Sequence, residues 1–168
     1  YPDDIQKLSA EFQRSPLSVR VESTHSAHQI EQRFFELPNQ EAKFPALIKL
    51  LQHYQPRSAV IFCNMKQQTQ QVADQLKAKG YSALALHGDL EQRERDQVVV
   101  RFANQSCSVL VATDVAARGL DIKELQAVVN YDITPDPEVH VHRIGRTGRA
   151  GQTGLALTLT TATQGSRV

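Results

Sequence analysis

The sequence of 168 residues has no tryptophan, one methionine, two cysteines and a formal net charge of only +1. Cys63 and Cys107 each lie inside or beside an apolar run, and neither belongs to a CxxC or Cys/His spacing. That excludes a zinc ribbon and a disulfide framework, and both cysteines read as small buried or half-buried side chains. No stretch approaches the roughly 20 apolar residues of a membrane span, and the opening "YPDDIQKL" is not a basic-then-apolar leader. No membrane contact and a cytoplasmic location are therefore expected. Near-neutral charge argues against a chain that coats nucleic acid over its whole surface. There is also no GxxxxGK[ST] and no GxGxxG after a strand, so nothing here cradles a triphosphate with backbone amides.

What is present is a repeating alternation. Short, continuous apolar runs occur at "SAVIF" (58–62), "ALAL" (83–86), "SVLVA" (108–112) and "AVVNY" (127–131). Continuous rather than alternating apolar character predicts strands covered on both faces. Phe44, Leu47, Ile48, Leu51 and Tyr54 form a helical stripe before the first run. Val72, Ala73 and Leu76 form another after it, with Gly80 as its stop. "DLEQRERDQVVVRF" predicts a third helix, with Asp89 as N-cap, Gln92 three residues on, and Val98, Val99 and Phe102 turned inward. The fold class is α/β: a doubly wound, mainly parallel sheet with helices on both faces, closed by a last strand at "GLALTLT" (154–160). The first residues differ. "YPDDIQKLSAEFQRSP" reads as a polar helix with Ile5, Leu8 and Phe12 on one stripe, "LSVRVE" as a short strand and "STHSAHQ" as a polar link.

In such sheets ligands sit outside the carboxyl ends of the strands. The segments placed there are Cys63–Asn64, His87–Asp89, Thr113–Asp121 and Tyr131–Asp132. "HRIGRTGRAG" (142–151) precedes the last strand, delivered to the rim by a short helix starting at Asp136 and Pro137. From His140 to Gly151 there are three arginines and no acid. With those three taken from a total of +1, the remainder carries −2, so positive charge is concentrated in one segment. Guanidinium groups present a planar fork of donors that suits phosphate, and glycine lets backbone approach closely. The plainer reading is a surface turn of RGG type.

Each other candidate also has two readings. Asp114 suits a magnesium ligand or phosphate acceptor, or a helix N-cap. Asp121 either holds a ribose hydroxyl or closes its loop. "EQRERDQ" is a solvated helix face, except that Arg95, one turn inside and near "HGD", is placed to face a ligand. A receiver-type phosphohydrolase using Asp114 lacks a DxD pair and a suitably placed lysine. Arginines without a nucleotide cradle suggest a domain that completes the site of another. An arginine supplied that way contributes roughly 10³ to 10⁵ in phosphoryl-transfer rate.

At this point the motifs match a known family. "VIFCN", "HGDLEQRERD" with its QxxR element at Gln92–Arg95, "LVATDVAARGLDI", "VVNYD" and "HRIGRTGRAG" resemble, in order, motif IV, the block after it, motif V, its extension and motif VI of the second RecA-like domain of DEAD-box RNA helicases. "HGDLEQRERDQ" and "DPEVHVHRIGRTGRAG" look similar to the bacterial DbpA subgroup, which acts on large-subunit ribosomal RNA. The resemblance implies a RecA-like fold. It implies residues 1–28 as the tail of a first RecA-like domain plus linker, and 29–168 as the second.

It implies that Arg146 and Arg149 reach the γ-phosphate, Arg149 as the finger. Gly119 and Asp121 would contact the nucleotide ribose. Asn64, Gly88, Arg95 and Thr113 would grip the RNA backbone. His142 and Arg143 would bind the acidic motif of the first domain, while Phe62 would pack beneath motif VI. ATP and Mg2+ are the implied cofactors, held mainly by the first domain. RNA and that domain are the implied partners of a monomer with a role in ribosome biogenesis. The isolated fragment is expected to be inactive. A stand-alone RNA-binding α/β module without nucleotide chemistry is the competing reading.

Overall fold

The computed structural model describes residues 13–22, 27–104, 108–117, 125–134, 136, 138, 139, 143 and 154–161. Among these, seven strands form one sheet: β1 (Gln13–Glu22), β2 (Ala27–Leu37), β3 (Ala59–Phe62), β4 (Ala83–Leu86), β5 (Val109–Ala112), β6 (Ala127–Asn130) and β7 (Gly154–Thr161). Their order is β1-β2-β7-β6-β3-β5-β4. β1 pairs antiparallel with β2, and every other pairing is parallel. The helices are α1 (Lys43–Tyr54), α2 (Lys66–Ala78), α3 (Gln92–Ala103) and the single turn α4 (Asp114–Ala117). None of the helices among the described residues is long and apolar enough to cross a membrane.

The apolar runs became the central strands for the reason their continuity implied. All four positions of β3, β5 and β6 are buried, because side chains alternate between two covered faces. On one face Ile61, Val109, Val111 and Val129 meet Leu47, Leu50 and Leu51 of α1 and Val72, Ala73 and Leu76 of α2. On the other, Val60, Phe62, Leu86, Leu110 and Val128 meet Phe102 of α3 and Ala116 and Ala117 of α4. Full burial of one such aliphatic side chain contributes roughly 1.5–3 kcal/mol, so the two layers are the main source of stability.

Helix ends follow local chemistry. A 3₁₀ turn, Gln40–Ala42, leads into α1, and Asn39 Oδ1 accepts from Ala42 N at 3.0 Å. α2 stops at Gly80, whose φ of +93° is open to glycine, and Tyr81 N closes the end on Leu76 O at 3.0 Å. Two expectations are corrected. The N-cap of α3 is Glu91, not Asp89: the chain first turns, Leu90 N donating to His87 O, so the helix starts two residues later and Glu94 Oε1 accepts from Glu91 N at 3.0 Å. Within α3, Phe102 is buried, but Val98 and Val99 are only half-buried.

The amino-terminal region is corrected too. Residues 13–16, expected at the end of a helix, belong to β1, and Ala27–Gln29, expected in a link, begin β2. Pairing decides this, since β1 is bonded along its length to β2 and β2 to β7. Cross-strand partners outweigh weak local preference. Ile5, Leu8 and Phe12 lie outside the described residues.

Candidate functional site

The connectivity reverses around β3: β4 and β5 lie on one side, β6 and β7 on the other. Ligands of open α/β sheets bind outside the carboxyl ends at such a reversal. In register there, Leu86, Ala112, Phe62, Asn130 and Thr158 stand side by side across five strands. Asn130 Nδ2 donates to Thr158 Oγ1 at 3.0 Å. This row is the floor on which the rim is built.

Arg143 lies on it. Its guanidinium carbon sits 5.2 Å from the centre of the Phe62 ring, and the residue is 1% exposed. An arginine has five N–H donors, and each finds an acceptor. Nε and Nη2 donate to the two carboxylate oxygens of Asp114 at 2.7 and 2.6 Å, a bidentate ion pair. Nη1 donates to the carbonyl of Asp132 at 2.7 Å and to Asn130 Oδ1 at 3.4 Å. Nη2 also donates to Asn64 Oδ1 at 2.8 Å. The loops after β3, β5 and β6 are thereby tied to one side chain.

A second buried ion pair supports the first from the opposite face. Lys43 of α1, fully buried, donates to Asp132 Oδ1 at 3.2 Å and lies 5.7 Å from the centre of the Tyr131 ring. Asp132 Oδ2 accepts from Asn64 N at 3.0 Å. With its amide oriented to satisfy the network, Gln68 donates to Asp132 Oδ2 at 2.5 Å and accepts from Gln40 Nε2 at 3.0 Å. Burial pushes the Cys63 thiol and the Tyr131 hydroxyl up from their ordinary values, so both stay neutral beside this carboxylate.

The β4 end is more open. Arg95 Nη2 donates to the carbonyl of exposed Gly88 at 3.2 Å, and Arg95 Nε is buried without a protein partner. His87 is buried. Its Nε2 lies 2.8 Å from Gln70 Oε1, and its Nδ1 accepts from Asp89 N at 3.2 Å. Asp89 and Lys66 form an exposed ion pair at 2.9 Å, and that hydrogen bond holds the carboxyl below its ordinary value. Thr113 N donates to Leu86 O at 3.2 Å, and Thr113 Oγ1 accepts from Ala116 N at 3.3 Å.

Asn64, Gly88, Arg95 and Thr113 thus stand on one continuous rim, linked through Leu86 at one end and through Asp114 and Arg143 at the other. Phe62 lies beneath the one described arginine of "HRIGRTGRAG". Two expectations change. Thr113, not Asp114, caps α4, and Asp114 has both oxygens engaged by Arg143. Arg143, expected to bind an acidic motif of another domain, has all five donors occupied within this chain and none left over. Gly119, Asp121, His142, Arg146 and Arg149 lie outside the described residues. Among the described residues, no group of three or more His, Cys, Asp or Glu is placed to hold a metal ion. Lys43 was not marked by any spacing signal, because a single lysine in an amphipathic helix reads as solvated.

Comparison with known proteins agrees with this geometry. Residues 42–151 match the family described as "Helicase conserved C-terminal domain". The chain is 57% identical over 157 residues to ATP-dependent RNA helicase DbpA of Escherichia coli K12, covering 94% of this chain and 34% of that protein. It spans about a third of the length of the curated relatives it matches. Among solved structures, E. coli DEAD-box protein SrmB bound to regulator of ribonuclease activity A superposes with a TM-score of 0.76 at 32% identity, over 83% of this chain and 81% of that one. The C-terminal domain of DEAD-box protein Dbp5 superposes at 0.73 with 36% identity, over 79% and 77%. The sheet order, the motifs on its carboxyl rim and these matches together make the chain a member of the helicase conserved C-terminal domain family, the second RecA-like domain of a DEAD-box protein.

Proposed function

We propose that this chain is the second RecA-like domain of an ATP-dependent RNA helicase. Residues 29–168 act as the second RecA-like domain and 1–28 as the end of the first plus the linker, a segment whose strand β1 lies along β2 in this structure. The observation that carries the reading is the unbroken bonded rim from Arg95 through Gly88, Leu86, Thr113, Asp114 and Arg143 to Asn64. It puts Asn64, Gly88, Arg95, Thr113 and Arg143 on one edge.

The donor set fits a nucleotide shared between two bodies. Arg143 is locked into the sheet, and Arg146 and Arg149 follow it at three-residue intervals in a stretch, His140 to Gly151, that contains no acid. They are assigned to the γ-phosphate, with Arg149 as the finger, and Gly119 and Asp121 to the ribose. Mg2+ is assigned to acids of the first domain, with which His142 makes contact. When bound, ATP supplies the phosphoryl transfer that drives the cycle.

The groups of this chain orient and neutralise. Guanidinium charge offsets charge that develops on the transferring group, which is most effective from donors oriented before the reaction. Gly88, Arg95, Thr113 and Asn64 grip phosphate and sugar, which carries no sequence preference and suits an enzyme acting on many RNA sequences. Closure of two domains around both ligands couples them, provided each prefers the closed form. The whole protein is assigned to a soluble cytoplasmic monomer acting on large-subunit ribosomal RNA during ribosome biogenesis.

The test is Arg149→Ala in the full-length protein. ATP turnover is expected to fall by roughly 10³ or more, with RNA affinity largely retained. Lost RNA affinity with turnover spared would instead indicate a stand-alone RNA-binding module. Purified residues 1–168 should show no ATP turnover at all.

A further inference from the structure

His87 follows β4, buried, next to the one rim glycine among the described residues, Gly88. The backbone N–H of Asp89 can only donate, so His87 Nδ1, 3.2 Å away, carries a lone pair. The proton of the neutral ring is then on Nε2, which faces Gln70 Oε1 at 2.8 Å. The amide of Gln70 is itself oriented, because its Nε2 donates to Asp74 Oδ1 at 3.0 Å and a carboxylate only accepts. The result is a one-way chain of donors, from the Asp89 backbone through His87 and Gln70 to the Asp74 carboxylate. Each link fixes the sense of the next.

We infer that His87, held as the Nε2–H tautomer by this relay, is the positioning residue that shapes the Gly88 turn for the RNA backbone. The inference rests on the proposal that Gly88 and Arg95 contact RNA. His87 touches no ligand in this arrangement and acts through the turn. Its ring ties residues 87–89 to α2, while the Gly88 carbonyl is tied to Arg95 of α3 and the Leu86 carbonyl to Thr113 N. The charged groups around the turn are Lys66 and Asp74 on α2, Arg95 on α3 and Asp89 within it. Losing the Nδ1 acceptor frees the Asp89 N–H, and the Gly88 backbone loses its fixed direction. Losing the Nε2 donor removes only the link to α2.

Two substitutions separate these roles. In His87→Asn the amide oxygen stands where Nδ1 stood and still accepts from Asp89 N. In His87→Gln the polar end stands near the Nε2 position and the acceptor at Nδ1 is gone. RNA-stimulated ATP turnover of the full-length protein is the readout. His87→Gln should raise the KM for single-stranded RNA about tenfold with kcat at saturating RNA unchanged, and His87→Asn should stay within about twofold of the parent. In full-length protein with 15N-labelled histidine, the His87 nitrogens should report a protonated Nε2 and a bare Nδ1.

Equal KM values for the two variants, or a protonated Nδ1, overturn the inference. Should either variant fail to fold, the nitrogen shifts of the unsubstituted protein still decide it. If the unsubstituted protein shows no RNA stimulation, or Arg95→Ala leaves its KM for RNA unchanged, the RNA reading itself has failed.

Discussion

At the Arg143 end of the rim every donor of a buried guanidinium ends on an acceptor of the same chain. At the Gly88 end the turn is exposed and Arg95 keeps a donor without a protein partner. Both ends belong to one edge of one sheet, and both carry an arginine beside a loop. The difference lies in what surrounds the charge. Under Arg143 the sheet supplies Phe62 and Asn130 as a floor and three loops as walls, so an unpaired group there would be very costly. Over the exposed Gly88 turn there is no such wall, although Arg95 Nε itself is buried. The first end is built to hold a shape, and the second is the end proposed to meet RNA.

The comparison is broken most easily at the buried end. Asp114→Ala leaves Arg143 charged, buried and short of two acceptors, and should lower stability by about 3 kcal/mol. For a domain of this size that is a fall in melting temperature of about 10 °C, read by thermal denaturation. Asp114→Asn, which keeps one acceptor, should cost clearly less. Lys43→Met removes the cation from Asp132, which keeps Asn64 N and Gln68. The expected loss is about 2 kcal/mol, read by urea denaturation.

The exposed end should respond in the opposite currency. Arg95→Ala should leave stability within about 0.5 kcal/mol of the parent. In the full-length protein it should weaken RNA binding roughly tenfold and reduce the slope of log affinity against log salt by about one. A stability loss rivalling that of Asp114→Ala would erase the distinction between the two ends.

The smallest effect concerns Asp89. Its carboxyl titrates below the ordinary value because of Lys66, so the folded state binds that proton less readily than the unfolded chain. The contribution is present above the ordinary aspartate pKa of about 3.9 and is lost as pH falls through the lowered value. Lys66→Met should lower the melting temperature slightly at neutral pH and flatten that part of the acid limb between about pH 5 and 2, so that parent and variant converge in acid.

Much of this was legible in the residues. The runs at 58–62, 83–86, 108–112 and 127–131 could only be strands with two covered faces, and β3, β4, β5 and β6 lie within them. The helical stripes ending at Tyr54 and Gly80 were equally plain, because period and stop signal agreed. β2 was missed, since "AHQIEQRFFEL" mixes polar and apolar residues and becomes a strand through its partners on both sides. Asp89 was misplaced as a cap because a tight turn after His87 delays the helix, and no spacing rule registers that.

Composition and order alone determined an α/β chain with arginines clustered before the last strand, because apolar continuity and charge clustering are properties of neighbours in sequence. The inward role of Arg143, its pairing with Asp114 twenty-nine positions earlier, and the burial of Lys43 against Asp132 were decided only by folding. A charged side chain reads as solvated until the sheet brings acceptors to it from distant loops. Whether its donors remain for a partner depends on how many of those acceptors arrive.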